Sequence, residues 1–340
     1  MTALIDGRTG PSPTSNAGAP LPWLVADVGG TNARFGWIDR PEIGVSHVRT
    51  LATADFAGPA QAAAAYLAGL AEHGVDGRPA SAAWAVATVV DGDQIALTNS
   101  SWRFSRQALQ AETGVDRLLV LNDFEALALS LPRLRPAQWR SHGTPPSARG
   151  TLAVIGPGTG LGVGGVVQVG SRWVAVPGEG GHVTLAPADD FESALLQHVR
   201  RDHVHVSAER LLSGIGLPVL HRAVAAVLGW PVAPRQTPDI VERALAGDDP
   251  ACVRTIDSFC ALLGGFAGNV ALTLGASGGV YIGGGIVPRL GSHFFASRFR
   301  ERFEAKGRFT AYLSRVPTAV IVDTLAALSG AALALEQDGR

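Results

Sequence analysis

The chain has 340 residues, enough for two ordinary domains, and 42 of them are glycine, well above the usual share of roughly 7 %. Its 28 basic residues stand against 29 acidic ones, and a net charge of −1 gives no field for nucleic acid or an anionic membrane. Lys306 is the single lysine, in Ala305-Lys306-Gly307, which excludes a Gly-Lys-Ser/Thr phosphate loop and the strand lysine of protein kinases. Any phosphate must therefore be held by backbone N–H groups and a metal.

Residues 1–22 are rich in Gly, Pro, Ser and Thr, lack an apolar core, and read as a disordered lead-in rather than a signal peptide. Trp23–Val28 and Ala33–Ile38 form an expected hairpin around Gly29-Gly30, with a third strand over Val45–Leu51. A helix is expected over Phe56–His73, stopped by Gly74, then strands over Ala82–Val90 and Gln94–Thr98. Ser105 caps a helix ending at Gly114, and Arg117–Leu121 is a buried strand that delivers Asn122 and Asp123 to its C-terminal end. The polar, proline-containing run 133–149 reads as an inter-domain crossing.

A second strand–turn–strand unit then begins, with Gly150–Ile155, a Gly156–Gly160 turn and Val163–Val169. The repeated hairpin points to two related α/β domains, 23–133 with 323–340 and 134–322, facing one cleft. Helices are expected over Phe191–Arg201, Ala208–Leu212, Leu217–Leu228, Pro238–Ala246 and Pro250–Leu274, strands over Val280–Ile282 and Thr318–Val322, and a terminal Leu/Ala helix. The stretch Ser258–Pro288 has no charged residue, but its nine glycines and the break at 275–279 make it a buried helix and strand rather than a membrane span. Cys252 and Cys260 would lie about 12 Å apart on one helix, too far for a disulfide. That usage fits a reducing cytoplasm.

Asp27-Val28-Gly29-Gly30-Thr31-Asn32 follows a buried strand, so its N–H groups can form an anion nest while Asp27 orients a hydrated divalent cation; an ordinary hairpin turn is the alternative. Gly158-Thr159-Gly160 repeats the chemistry, which favours the phosphate reading. Gly283-Gly284-Gly285 either admits a flat adenine ring or merely allows close packing. Asp123, at a strand end, is placed as a general base or as the N-cap of the next helix. Pro177-Gly178-Glu179-Gly180-Gly181-His182 sets a carboxylate and an imidazole three apart, able to bind vicinal sugar hydroxyls. A zinc site there would need a third ligand, with only His203 and His205 nearby. Glu209 falls in the first turn of a helix capped by Ser207, a position that also suits a surface acid.

These motifs, together with Ala96–Trp102, Val206–Gly216, Gly278–Arg289 and Phe303–Tyr312, resemble the bacterial glucokinase family, hexokinase relatives in the actin-like ATPase superfamily. The resemblance implies an α/β, two-domain ribonuclease-H-like/actin-like ATPase fold with an inter-domain cleft. It implies transfer of the ATP γ-phosphoryl group to the 6-hydroxyl of D-glucose, the first step of glycolysis, with Mg²⁺, in a cytoplasmic homodimer. By motif match Asp123 is the catalytic base, and Asn99, Asn122, Asp123, Glu179, His182 and Glu209 are sugar ligands. Ala26, Asp27, Val28, Gly29, Gly30, Thr31 and Asn32 form the first phosphate loop, with Asp27 toward the metal through water. Gly158, Thr159 and Gly160 form the second, and Gly284 and Gly285 flank the nucleotide.

Two departures bear on sugar range. Ala87-Thr88-Val89-Val90 lacks the proline common in that loop, and Ser100-Ser101 replaces a bulkier residue. The alternatives are a kinase for fructose, mannose or an N-acetylhexosamine, and a non-catalytic sugar sensor. The related repressor–kinase family carries a clustered-cysteine zinc motif that this sequence lacks. A sensor is expected to carry a helix-turn-helix, for which residues 1–22 are too short.

Overall fold

A computed structural model describes residues 18–75 and 77–338. Strands β1 (Trp23–Val28), β2 (Asn32–Ile38) and β3 (Ser46–Ala52) form an antiparallel meander, followed by α1 (Pro59–Ala71) and β4 (Ser81–Val86). The small ribbon β5 (Gln94–Ala96) and β6 (Arg103–Ser105) precedes α2 (Arg106–Thr113), β7 (Arg117–Asn122) and α3 (Asp123–Ser130). The sheet runs β3-β2-β1-β4-β7, with β4 parallel to both β1 and β7. β4, Ser-Ala-Ala-Trp-Ala-Val, is buried throughout, as a central parallel strand covered on both faces must be.

The second half repeats this plan. β8 (Trp139–Ser141) is an edge strand, and β9 (Leu152–Pro157), β10 (Leu161–Val169) and β11 (Arg172–Val176) form another antiparallel meander. Five helices follow: α4 (Asp190–Val199), α5 (Ala208–Leu211), α6 (Leu217–Leu228), α7 (Thr237–Ala246) and α8 (Pro250–Leu274). Then come β12 (Gly279–Ile282), the short helices α9 (Val287–Leu290), α10 (Ser292–Ala296), α11 (Phe299–Glu304) and α12 (Thr310–Leu313), strand β13 (Thr318–Ile321) and α13 (Ala326–Gln337). The order β11-β10-β9-β12-β13-β8 has β12 parallel to both β9 and β13. α8 is long and apolar enough to cross a bilayer, yet its most apolar window is largely buried in the largest core cluster.

Helices α3 and α13 pack together between the two sheets. Ala128, Leu129 and Leu131 meet Leu152, Val154 and Val166 of the second sheet, while Leu328, Ala331 and Leu335 meet Val25 and Ala83 of the first. A side chain at Gly330 of α13 would collide with the Ala126 carbonyl of α3, so their backbones touch.

Local signals placed most boundaries. Ser105 Oγ accepts the Ala108 N–H at 3.1 Å, and Gly114 ends α2 in the left-handed region at φ +69°. α1 begins at Pro59, later than Phe56, because Thr53–Asp55 forms a separate 3-10 turn and proline suits the first helical turn. The run 133–149 holds β8, paired with β13, so part of the expected crossing is sheet. Of the expected lead-in, residues 1–17 lie outside the described residues. Residues 18–22 are tied down, with the Ala19 N–H donating to the Leu335 carbonyl and Ser81 Oγ to the Pro20 carbonyl.

Candidate active site

Asp27 sits on β1 directly opposite Arg34 of β2, and Arg34 Nη1 reaches its carboxylate at 3.4 Å and the Thr324 carbonyl at 2.7 Å. Burial pushes the Asp27 carboxyl above its ordinary range, while Arg34 opposes that shift. The strand alternates, so Ala26 and Val28 put their side chains into the core beside Phe35 and Trp84 and do not reach the cleft with them. The turn closes with the Gly29 N–H on the Asn32 carbonyl at 2.9 Å, and Thr53 holds both the Gly30 and Thr31 carbonyls. Gly30 must be bare, since a Cβ there would sit 2.5 Å from the Asn99 carbonyl. That contact brings Asn99 against the first turn.

At the end of β7 the helix cap is Asn122. Its Oδ1 accepts the N–H groups of Phe124 at 2.8 Å and Glu125 at 3.3 Å, and its Nδ2 donates to the Thr88 carbonyl at 3.0 Å. One N–H of Asn122 remains for a ligand. Asp123 stands one residue further, with Oδ1 accepting the Phe124 N–H at 3.0 Å. Burial first, then the charge of Asp27, and more weakly that of Glu179, push its carboxyl up to about 7. A carboxylate poised there is suited to take a proton near neutral pH. The same couplings show that Asp123 feels charge both from the first turn and from the Glu179 loop.

The second turn carries no charge of its own. Glu209 Oε2 accepts the Leu161 N–H at 2.9 Å, and the Gly214 N–H donates to the Gly158 carbonyl at 2.7 Å. A side chain at Gly160 would strike the Glu209 carboxylate. His182 lies between two acids, with Nε2 3.9 Å from Glu179 Oε2 and Nδ1 3.9 Å from Glu209 Oε1. Glu179 and His182 are each 59 % exposed and Glu209 23 %, so an open trio is offered to a polyol and one member is already anchored. His205 Nε2 lies 3.1 Å from Thr184 Oγ1, and no group of three His, Cys, Asp or Glu among the described residues could hold a metal.

A cleft of about 500 Å³ is lined by Asp27, Asp123, Phe124, Gly283, Gly284, Gly285 and the segment Ile321–Thr324. Gly284 takes φ +74° against the Pro157 carbonyl, while Gly285 faces open space, so bare backbone forms one wall. The sequence reading missed Arg34, Phe124 and Arg289 here. The one available signal for Arg34 was its position opposite Asp27 in a two-residue alternation. Mg²⁺ fits the donor set: a hard cation that keeps several waters needs few carboxylates, and Asp27 is a half-buried carboxylate lining the cleft whose charge a cation would relieve.

The glucokinase family model matches residues 24–338. A glucokinase of Aromatoleum aromaticum is 49 % identical over 316 residues, covering 93 % of this chain and 95 % of its own length. A glucokinase of Paramagnetospirillum magneticum is 48 % identical, covering 91 % and 96 %. The bifunctional glk protein of Paraburkholderia xenovorans is 46 % identical, and the chain spans 51 % of its length. Among solved structures, glucokinase from an Antarctic psychrotroph superposes with a TM-score of 0.84 at 36 % identity, over 92 % of this chain and 98 % of that one. The hexokinase of Thermus thermophilus shares the fold at TM-score 0.62 and 22 % identity, over 92 % and 97 %. This chain belongs to the glucokinase family.

Proposed function

We infer that the chain phosphorylates D-glucose at its 6-hydroxyl with ATP, yielding glucose 6-phosphate and ADP. The observation that carries this reading is the meeting of Glu179, His182 and Glu209, with Glu179 and Asp27 of the first turn both acting on Asp123 and Glu209 bonded to the second turn. Glu179, His182, Glu209, Asn99 and the free N–H of Asn122 hold the sugar hydroxyls. Asp123 accepts the proton as the 6-oxygen attacks phosphorus, a step worth roughly 10²–10⁴ in rate. The N–H groups of Gly30 and Thr31 and of Thr159 and Gly160 cradle the phosphates, those of Gly29 and Gly158 closing their own turns, and Gly284 and Gly285 face the nucleotide base. Asp27 would hold Mg²⁺, which when bound would neutralise charge on the transferring group.

Residues 23–133 with 323–340 form the smaller lobe and 134–322 the larger, closing about the α3–α13 pair to exclude water. A homodimer is supported by an exposed groove of uncharged residues joining Asn269 and Thr273 of α8 to Val176 and Val183. The free, buried Cys252 and Cys260 suit the cytoplasm. Light scattering of the wild type and of Asn269→Arg reads the dimer; a monomeric wild type overturns it.

A coupled ATP-to-ADP assay across a hexose panel tests the reaction. Glucose-dependent ADP release is expected, reduced at least roughly a hundredfold in Asp123→Asn with glucose Kd within about an order of magnitude. No glucose-dependent release overturns the reading, and an unchanged kcat in the variant removes Asp123 as base.

A further inference from the structure

The interior of the β9–β10 hairpin contains an arrangement that sheet-building alone does not explain. Gly156 and Gly162 stand directly opposite each other in register. Glycine inside a strand is destabilising relative to alanine, and here two are paired. Both are covered by one side chain. A Cβ at Gly162 would collide with the Phe124 ring from Cδ2 to Cζ, and a Cβ at Gly156 with Cζ and Cε1 of the same ring. At Gly164 a Cβ would come 2.7 Å from the Phe124 carbonyl. The glycine pair is thus a seat for Phe124.

What the seat connects is specific. Phe124 follows Asp123, and its N–H donates to both Asn122 Oδ1 at 2.8 Å and Asp123 Oδ1 at 3.0 Å. Gly156 and Gly162 are each two residues from the Gly158–Gly160 turn. The ring also lines the cleft with Asp27 and Asp123. One side chain therefore ties the base to the second turn.

We propose that Phe124 is a positioning residue for phosphoryl transfer, its ring on the Gly156–Gly162 seat fixing Asp123 relative to the second phosphate-binding turn. This rests on the glucokinase reading above. Phe124 meets Asn122 and Asp123 through its backbone N–H, while its ring meets the glycine seat, so disturbing the seat should lower kcat more than glucose affinity. Moving Asp123 relative to its neighbours should also move the pH midpoint of activity, an effect that mere loss of packing would not produce.

The test uses the full chain with glucose and ATP. Phe124→Ala is expected to lower kcat about 30-fold, with glucose Kd by tryptophan fluorescence within about threefold. Gly162→Ala, which lifts the ring from the other side, should reproduce the pattern. In the double variant the new methyl group occupies vacated space, so the two losses should not multiply. Phe124→Leu should restore at least half of the lost activity on a logarithmic scale. Where Phe124→Ala fails to bind glucose, Phe124→Leu and Gly162→Ala carry the same readings. Losses that multiply, a kcat within threefold of wild type, an unmoved pH midpoint, or equal damage to glucose affinity each overturn the proposal. An inactive wild type strikes the glucokinase reading instead, which keeps the two failures distinct.

Discussion

The two glycine turns share a backbone plan and divide the chemistry unequally. β1–β2 carries its own charges, with Asp27 and Arg34 opposed across the strands and turned to the cleft. From Gly150 to Gly170 the second unit has no charged residue, and its polar group is imported: Glu209, from α5, holds the Leu161 N–H. The first turn is braced by Thr53 and Asn99, the second by the Gly214–Ile215 backbone and the Phe124 ring. A repeated strand plan can thus be kept while one copy specialises in ionic contacts and the other in bare surface.

The largest expected effect comes from the charged turn. Asp27→Asn removes the half-buried carboxylate and leaves Arg34 unbalanced, so kcat should fall roughly a hundredfold, with glucose binding kept. Glucose titration beside steady-state kinetics reads both quantities, and a matching loss of glucose affinity would erase the proposed division of labour. At the uncharged turn, Gly160→Ala pushes against the Glu209 carboxylate. Glucose Kd should weaken about tenfold, the scale of one charged hydrogen bond, with kcat less affected. Calorimetry of glucose binding decides it.

The pH dependence is the next effect in size. Asp123 must be deprotonated to act, and its carboxyl is raised to about 7, so kcat/KM should fall tenfold per unit below that pH. Asp27→Asn removes one of the charges that raise it, so the midpoint should move down; an unmoved midpoint breaks the coupling between turn and base. The smallest effect lies in the core of the larger half, on α6. His221 is fully buried, Nε2 lies 3.8 Å from Cys252 Sγ, and Nδ1 has no partner among the described residues. Burial lowers its pKa, against the opposing pull of Asp249 and Asp239, and Arg235 and Arg222 add to the lowering. The unfolded chain therefore takes up a proton below about pH 6.5 that the folded chain resists, and stability is lost as pH falls. His221→Leu should leave activity unchanged and raise Tm by a few degrees, with a gain that grows from pH 7 to pH 5. A gain that shrinks over that range would show the histidine to be stably protonated in place.

Much of this was legible because the signals were local. Glycine turns after apolar runs, Ser105 and Ser207 as caps, and Gly114 as a stop depend on neighbours a few residues away. The missed strands β6, β8 and β11 are short or edge elements; β8 pairs with β13 nearly 180 residues later, so its own pattern says little. The cap at α3 was assigned one residue late, to Asp123 as the alternative to its role as base, and Asn122 takes it. Helix starts are uncertain by a residue when two capping types adjoin. Glu179, His182 and Glu209 were singled out by residue type, but their meeting in space and the anchoring of Glu209 on the second turn needed the fold.

Lys306 gives the chain an analytical property. Its stem lies against Gly268 of α8, and burial with the neighbouring Arg302 lowers its pKa, while Glu192 opposes that. Apart from the terminal amine, an amine-selective reagent has this one target in the chain. The unmodified protein thus already carries a unique covalent handle at the contact between α8 and the segment after α11. The rate at which a bulky reagent reaches it reports how often that contact opens.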